Sequence, residues 1–167
     1  IQKNFLTYLI FIFYYKRIIT ISINYDYTIY TDGACLGNPG KGGWAAIIFD
    51  AQKNKILLSG AEEISTNNRM ELLASINALK EIKKNSTVLL YTDSKYLIDG
   101  INNWIKKWKS NNWKTSNKKE VKNKDLWLLL DNCINFHSVT WRWVKGHSGN
   151  IFNEEVDQLA RKRAESL

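Results

Sequence analysis

Apolar and polar positions recur along the chain with two different periods, and the change of period separates strands from helices. Residues 26–31 (DYTIYT) and 44–49 (WAAIIF) read as strands, and turn chemistry predicts a tight loop in the glycine-rich run ACLGNPGKGG at 34–43 between them. Residues 55–64 read as a third strand at the edge of a meander. The period then lengthens, with Met70, Leu73, Ala74, Ile76, Ala78, Leu79 and Ile82 at helical spacing behind the capping oxygens of Ser65, Thr66 and Asn67. Residues 87–92 (TVLLYT) are nearly continuous in apolar character, as a buried central strand is, and Asp93-Ser94 opens a helix. Residues 97–108 and 127–134 read as helices, 138–144 as a strand with Thr140, Arg142 and Val144 on one face, and 153–167 as a helix with Val156, Leu159 and Ala160 inward. Strands grouped first and then alternating with helices predict an α/β fold: a five-stranded mixed sheet, three antiparallel strands followed by parallel ones, flanked by helices.

The start of the chain departs from this pattern. From Phe5 to Tyr15 it reads FLTYLIFIFYY, eleven residues that would cross roughly half of a bilayer core, so a membrane span is not expected. Lys16-Arg17 and bulky isoleucines stand where a signal peptide has small cleavage residues. Residues 1–22 are therefore expected to be an apolar extension outside the working domain, an artefact of the gene model, and residues 23–167 to be the domain itself. Cys35 and Cys133 lie far apart with no Cys or His at a metal-ligand spacing, which fits reduced thiols in a cytoplasmic protein.

Composition sharpens the question of partners. The 167 residues are 44% apolar, which excludes a wholly disordered chain, and 24 Lys and Arg against 16 Asp and Glu leave a net charge of +8. Such a balance suits a polyanion, although a membrane surface or plain solubility is served by it too. Its distribution is more telling. Residues 104–124 (WIKKWKSNNWKTSNKKEVKNK) hold eight lysines against the single Glu120, which is nearly the whole excess. Trp104, Trp108 and Trp113 are interleaved with them, a combination suited to stacking on sugars or bases while ammonium groups neutralise phosphates. The same spacing also lets Trp104 and Trp108 anchor a helix on the core while the lysines are solvated.

Four acidic residues stand out by position. Asp32 and Asp93 each follow an apolar strand, where open α/β sheets place ligands, and Glu71 and Asp157 lie early in their helices beside the inward residues Met70 and Val156. A carboxylate so placed costs several kcal/mol unless it is paired or metal-bound. Taken singly, each also fits a cap or turn role, with Arg69 or Lys80 available to Glu71, and periodicity alone does not bring the four together. His147 stands in WVKGHSG between two glycines after a strand, which suits a mobile imidazole that shuttles protons as well as an ordinary surface histidine.

Six segments in order, YTDGACLGNPGKGGWAAI, TNNRMEL, YTDSKY, the lysine- and tryptophan-rich run at 100–127, WRWVKGHSG and NEEVDQLA, resemble ribonuclease H type 1 of the bacterial form over about residues 24–165. The resemblance implies an endonuclease that hydrolyses the RNA strand of RNA-DNA hybrids with two Mg²⁺ ions, Mn²⁺ substituting, and leaves a 5′-phosphate and a 3′-hydroxyl. By the same resemblance Asp32, Glu71, Asp93 and Asp157 hold the metals, and His147 acts in proton transfer or product release. Cys35, Asn38, Asn67 and Asn68 would meet the minor groove, with Asn38 and Thr66 reaching a DNA phosphate. Asn153 and Glu154 would stand near the metals, and Trp104, Lys106, Lys107, Trp108, Lys109 and Lys114 would grip the DNA strand from a basic protrusion. A monomer with no obligate protein partner and no membrane attachment is expected. Departures from the family pattern are small: Lys95 stands where Gln is frequent, Ala34 where Ser is, and Glu120 where Pro is.

Overall fold

The computed structural model describes residues 24–167, and the extension expected at 1–22 lies outside the described residues. One sheet holds β1 Tyr27–Gly37, β2 Gly40–Asp50, β3 Lys55–Ser65, β4 Thr87–Thr92 and β5 Ser138–Trp143, in the order β3-β2-β1-β4-β5. β1 to β3 form an antiparallel meander, while β4 runs parallel to β1 and β5 parallel to β4. This is the mixed sheet that the grouping of strands and helices predicts.

Helices cover both faces. α1 Asn67–Glu81 follows β3, and α5 Ile151–Glu165 ends the chain. Between β4 and β5 come α2 Lys95–Asp99, a π-helical turn Gly100–Trp104, α3 Ile105–Ser110 and α4 Lys124–Ile134. α1 and α4 pack on one face, burying Ile29, Ile48, Leu72, Ile76, Val88, Leu90, Trp127 and Leu130. α5 closes the other with a smaller cluster of Ala45, Ile47, Val156 and Ala160. The alternation along β2 explains the division, because Ala46 and Ile48 face one layer while Ala45 and Ile47 face the other.

The glycine-rich run expected as a loop is mostly strand. β1 and β2 extend through it and pair to Gly37 and Gly40, leaving Asn38-Pro39 as the turn. Gly37, with a φ of 90°, and Gly40 flank that turn, whereas Gly33 and Gly43 serve the packing of helices. A Cβ on Gly33 would sit 2.4 Å from the Glu71 nitrogen of α1, and one on Gly43 only 2.1 Å from the Ala160 oxygen of α5. Both helices therefore approach the sheet more closely than a side chain would allow.

The helix expected at 97–108 is present as three consecutive pieces, because the π turn widens where Gly100 lies against the buried Trp127 ring. The α4 helix starts three residues before the expected 127, and α5 starts two before 153, capped by Asn150, whose side-chain oxygen accepts from the Asn153 N–H. At the start of α1 the expected side-chain cap is missing. Thr66 makes no such bond, and instead Asn38 from the β1–β2 turn accepts from the Asn67 N–H at 3.3 Å.

Candidate active site

The parallel register of β1 and β4 ends at the pair Thr31 and Thr92, so the next residue on each strand is an aspartate. Asp93 leaves the sheet there, as expected. Asp32 does not, since β1 continues beside β2 to Gly37, and its carboxylate stands instead in the opening left where β4 stops. Glu71 reaches the same opening from α1, which lies against β1 at Gly33. Asp32, Glu71 and Asp93 each offer a carboxylate oxygen within 4.8 Å of the others. Asp157, from the second turn of α5, lines the same cleft but is not one of this close trio, and its carboxylate accepts a 2.8 Å bond from the Arg161 side chain one turn on.

Burial and crowding dominate the electrostatics. Desolvation, then the charges of Asp93 and Asp157, push the Asp32 carboxyl up to about 8. Glu71 is raised well above the ordinary glutamate range, first by burial and then by Asp32 and Asp93. A side-chain hydrogen bond with Asp32 acts in the same direction, and Glu71 Oε2 is buried with no partner. A pairing of Glu71 with Arg69 is not what the structure holds: Arg69 faces away to bond Asp125 through both terminal nitrogens, at 3.0 and 3.1 Å. Lys80, the other candidate, is exposed near the far end of α1.

Asp93 is held from several sides. Asn153, buried at the first turn of α5, donates to its Oδ2 at 3.2 Å, and the Trp143 indole N–H donates to its backbone oxygen at 3.0 Å. Gly146 lies so close that a Cβ there would stand 2.6 Å from Asp93 Oδ2. His147 follows with a left-handed φ of 51° and lines the cleft with the acids. Its loop is tied to α5 where Glu154 accepts from the Gly149 N–H at 2.9 Å.

The remaining residues named from sequence fall in two groups. Cys35, Asn67 and Asn68 line the acidic cleft, while Asn38 and Thr66 sit beyond its lining at the β1–β2 turn and the start of α1. Cys35 fastens that corner by donating weakly to the Gly40 and Ser65 oxygens at 3.4 Å. In the basic arm, Trp104, Lys107, Trp108 and Lys114 line a second cleft. Trp108 also packs edge-on against Trp127 at 5.4 Å, so the core and surface roles of these rings coexist. Lys106 is exposed, but Lys109 is paired with Asp131 at 2.8 Å, so its charge is already partnered on α4. Trp143 and Arg161 were not singled out from the sequence. The spacing of Arg161 four residues after Asp157 was the available signal for one, whereas nothing local marks the contact of Trp143 with a backbone fifty residues away.

No helix among the described residues is long and apolar enough to cross a membrane. Comparison with known proteins finds that the RNase H family model matches residues 24–165. A ribonuclease H of Francisella philomiragia subsp. philomiragia is 57% identical over 138 residues, which is 83% of this chain and 90% of that protein. The crystal structure of LC9-RNase H1, a type 1 RNase H with the type 2 active-site motif, is 31% identical and superposes with a TM-score of 0.75, covering 84% of this chain and 72% of that one. A foamy viral protease-reverse transcriptase in complex with RNA/DNA hybrid shares the fold at 21% identity, with a TM-score of 0.76 over 87% of this chain and 21% of that one.

Proposed function

The chain belongs to the RNase H family and is an endoribonuclease, and from that premise we propose that it hydrolyses the RNA strand of RNA-DNA hybrids at the cleft of Asp32, Glu71 and Asp93. The convergence of these three carboxylates from β1, α1 and the end of β4 is the observation that carries the reading. The trio fits a hard divalent cation. It offers oxygen donors only, Glu71 Oε2 is buried without a partner, and burial and mutual repulsion raise the Asp32 and Glu71 carboxyls, a penalty that a cation's positive charge would relieve. We assign two Mg²⁺ ions to Asp32, Glu71, Asp93 and Asp157, with Mn²⁺ as substitute. Ions held there would supply an activated water and charge stabilisation for the departing 3′ oxygen, and 5′-phosphate and 3′-hydroxyl products would be expected.

The chain's own residues do the rest of the work. Asn153 and the Trp143 indole orient Asp93. His147, at the cleft wall, is placed to hold a proton for the leaving oxygen or to assist product departure. Cys35, Asn67 and Asn68, with Asn38 and Thr66 beside them, form a polar edge suited to the shallow minor groove of a hybrid and its 2′-hydroxyls. Lys106, Lys107 and Lys114 with Trp104 and Trp108 suit the DNA strand, and the pairing of Lys109 with Asp131 makes it the weakest of the arm contacts. Selectivity then comes from the sugar of each strand and not from base sequence.

We assign this activity to residues 23–167 acting as a cytoplasmic monomer without an obligate protein partner or membrane attachment, and expect removal of residues 1–22 to leave it intact. The test is a panel of labelled RNA-DNA hybrid, single-stranded RNA, double-stranded RNA and double-stranded DNA in Mg²⁺, with analysis of the product ends. Cleavage confined to the RNA of the hybrid, with 5′-phosphate ends, is expected. An intact hybrid, or equal cutting of double-stranded RNA, would overturn the proposal.

A further inference from the structure

The acidic cleft has two cations in its lining, Lys95 and Arg161, and they are differently employed. Arg161 is engaged by Asp157 at 2.8 Å. Lys95 has no carboxylate within ion-pair distance among the described residues, and its ammonium instead lies over the Trp143 ring, 5.6 Å from the centroid. That ring is fixed twice. Trp143 pairs with Thr92 in the β4–β5 ladder, and its indole N–H donates to the Asp93 oxygen at 3.0 Å. Lys95 is fixed too, as the first residue of α2, directly after Ser94, whose hydroxyl accepts from the Leu97 N–H. Asp93, a member of the carboxylate trio, is thus two residues from a prearranged lysine.

A cation resting on an aromatic face differs from one in a salt bridge. The ring attracts the charge without occupying its N–H donors, so an anion can be bound with no ion pair broken first. The strand to be cut must bring its phosphates into a cleft walled by carboxylates, where Lys95 is the lining cation free to meet one. Lys107 and Lys114 of the arm line a different cleft.

We propose that Lys95, seated on the Trp143 indole, binds a backbone phosphate of the strand being cut, beside the scissile bond. The inference rests on the nuclease reading for the identity of that strand, but its binding component is measurable without catalysis.

Two readouts test it. Hybrid binding is followed by fluorescence anisotropy in metal-free buffer across a salt series for the wild type, Lys95→Gln, Lys95→Arg, Trp143→Leu and the double variant Lys95→Gln/Trp143→Leu, with thermal melts to verify folding. Lys95→Gln is expected to flatten the log affinity against log salt plot by about 0.7–0.9 of a unit, the value of one phosphate contact, and Lys95→Arg to restore it. Trp143→Leu is expected to weaken binding two- to fivefold, and adding Lys95→Gln to it should cost less than Lys95→Gln costs the wild type. In the cleavage assay with Mg²⁺, the loss from Lys95→Gln should fall on KM, several-fold, rather than on kcat. An unchanged salt slope and KM in a folded Lys95→Gln protein would overturn the proposal, as would a loss confined to kcat. A wild type that binds hybrid with the expected Lys95-dependent slope but does not cut it would refute the nuclease reading and leave the phosphate contact standing.

Discussion

Asp32→Asn should make the metal-free protein more stable at pH 8 while removing one of the carboxylates we assign to the metals. Burial and the neighbouring Asp93 and Asp157 raise the Asp32 carboxyl from 3.8 to about 8. In the window between those values the folded protein keeps a proton that the unfolded chain has released. The native state then binds more protons than the unfolded state, so stability falls as pH rises from about 4 to about 8. At roughly 1.36 kcal/mol per pKa unit, the shift of about four units sets a ceiling of ~6 kcal/mol. The repulsion is shared with Glu71, local rearrangement and water entry relieve part of it, and the amide of Asn must still be desolvated, so a gain of about 1–3 kcal/mol is expected. For a chain of this size that corresponds to roughly 3–10 °C in Tm. The assay is a thermal melt of both proteins in EDTA at pH 5, 6.5 and 8. The gain should be small at pH 5 and grow with pH. A variant that melts below the wild type at pH 8, or a gain that does not grow with pH, would refute the picture of a buried carboxylate cluster held together against its own repulsion.

Other perturbations probe other parts of the account. Added Mg²⁺ should raise the Tm of the wild type at pH 8, by the equivalent of about 2.7 kcal/mol at a hundred times its dissociation constant, and should raise that of Asp32→Asn far less; equal shifts would place the ion elsewhere. Gly43→Ala should cost about 2–4 kcal/mol in a denaturant melt, because the new methyl would meet the α5 backbone at 2.1 Å; a cost under 0.5 kcal/mol would contradict the close packing of α5. Trp127→Ala should cost about 3–5 kcal/mol, since the ring is fully buried beneath the π turn and its N–H donates to the Tyr96 hydroxyl at 2.9 Å. In salt-dependent binding, Lys106→Gln and Lys107→Gln should each flatten the slope by nearly one unit while Lys109→Gln changes it by much less, owing to its ion pair with Asp131; equal effects from all three would show that this pair opens on binding.

Much of this arrangement was legible in the residue pattern because it depends on local period. The strand and helix order follows from alternation in DYTIYT, the apolar runs TVLLYT and WAAIIF and the helical spacing after Met70, and the sheet topology follows from that order. Glu71 could be placed inward by its neighbour Met70, and the structure buries both. What was not legible depends on partners distant in sequence. Gly33 and Gly43 carry turn propensity, but α1 and α5 demand their small size inside a sheet, and tertiary packing overrides the local signal. Lys109 looks like its neighbours until α4 brings Asp131 to it. The grouping of Asp32, Glu71 and Asp93 apart from Asp157 depends on where β4 stops relative to β1, a register that no single segment contains.

The most direct measurement is single-turnover cleavage of an RNA-DNA hybrid in saturating Mg²⁺ by Asp32→Asn and Asp93→Asn beside the wild type, with melts showing that each variant is folded. If the carboxylate trio holds the metals that cut the strand, both substitutions lower the cleavage rate by about a thousandfold or more, a loss of roughly 4 kcal/mol of transition-state stabilisation. Cleavage within tenfold of the wild type in either folded variant would contradict that assignment.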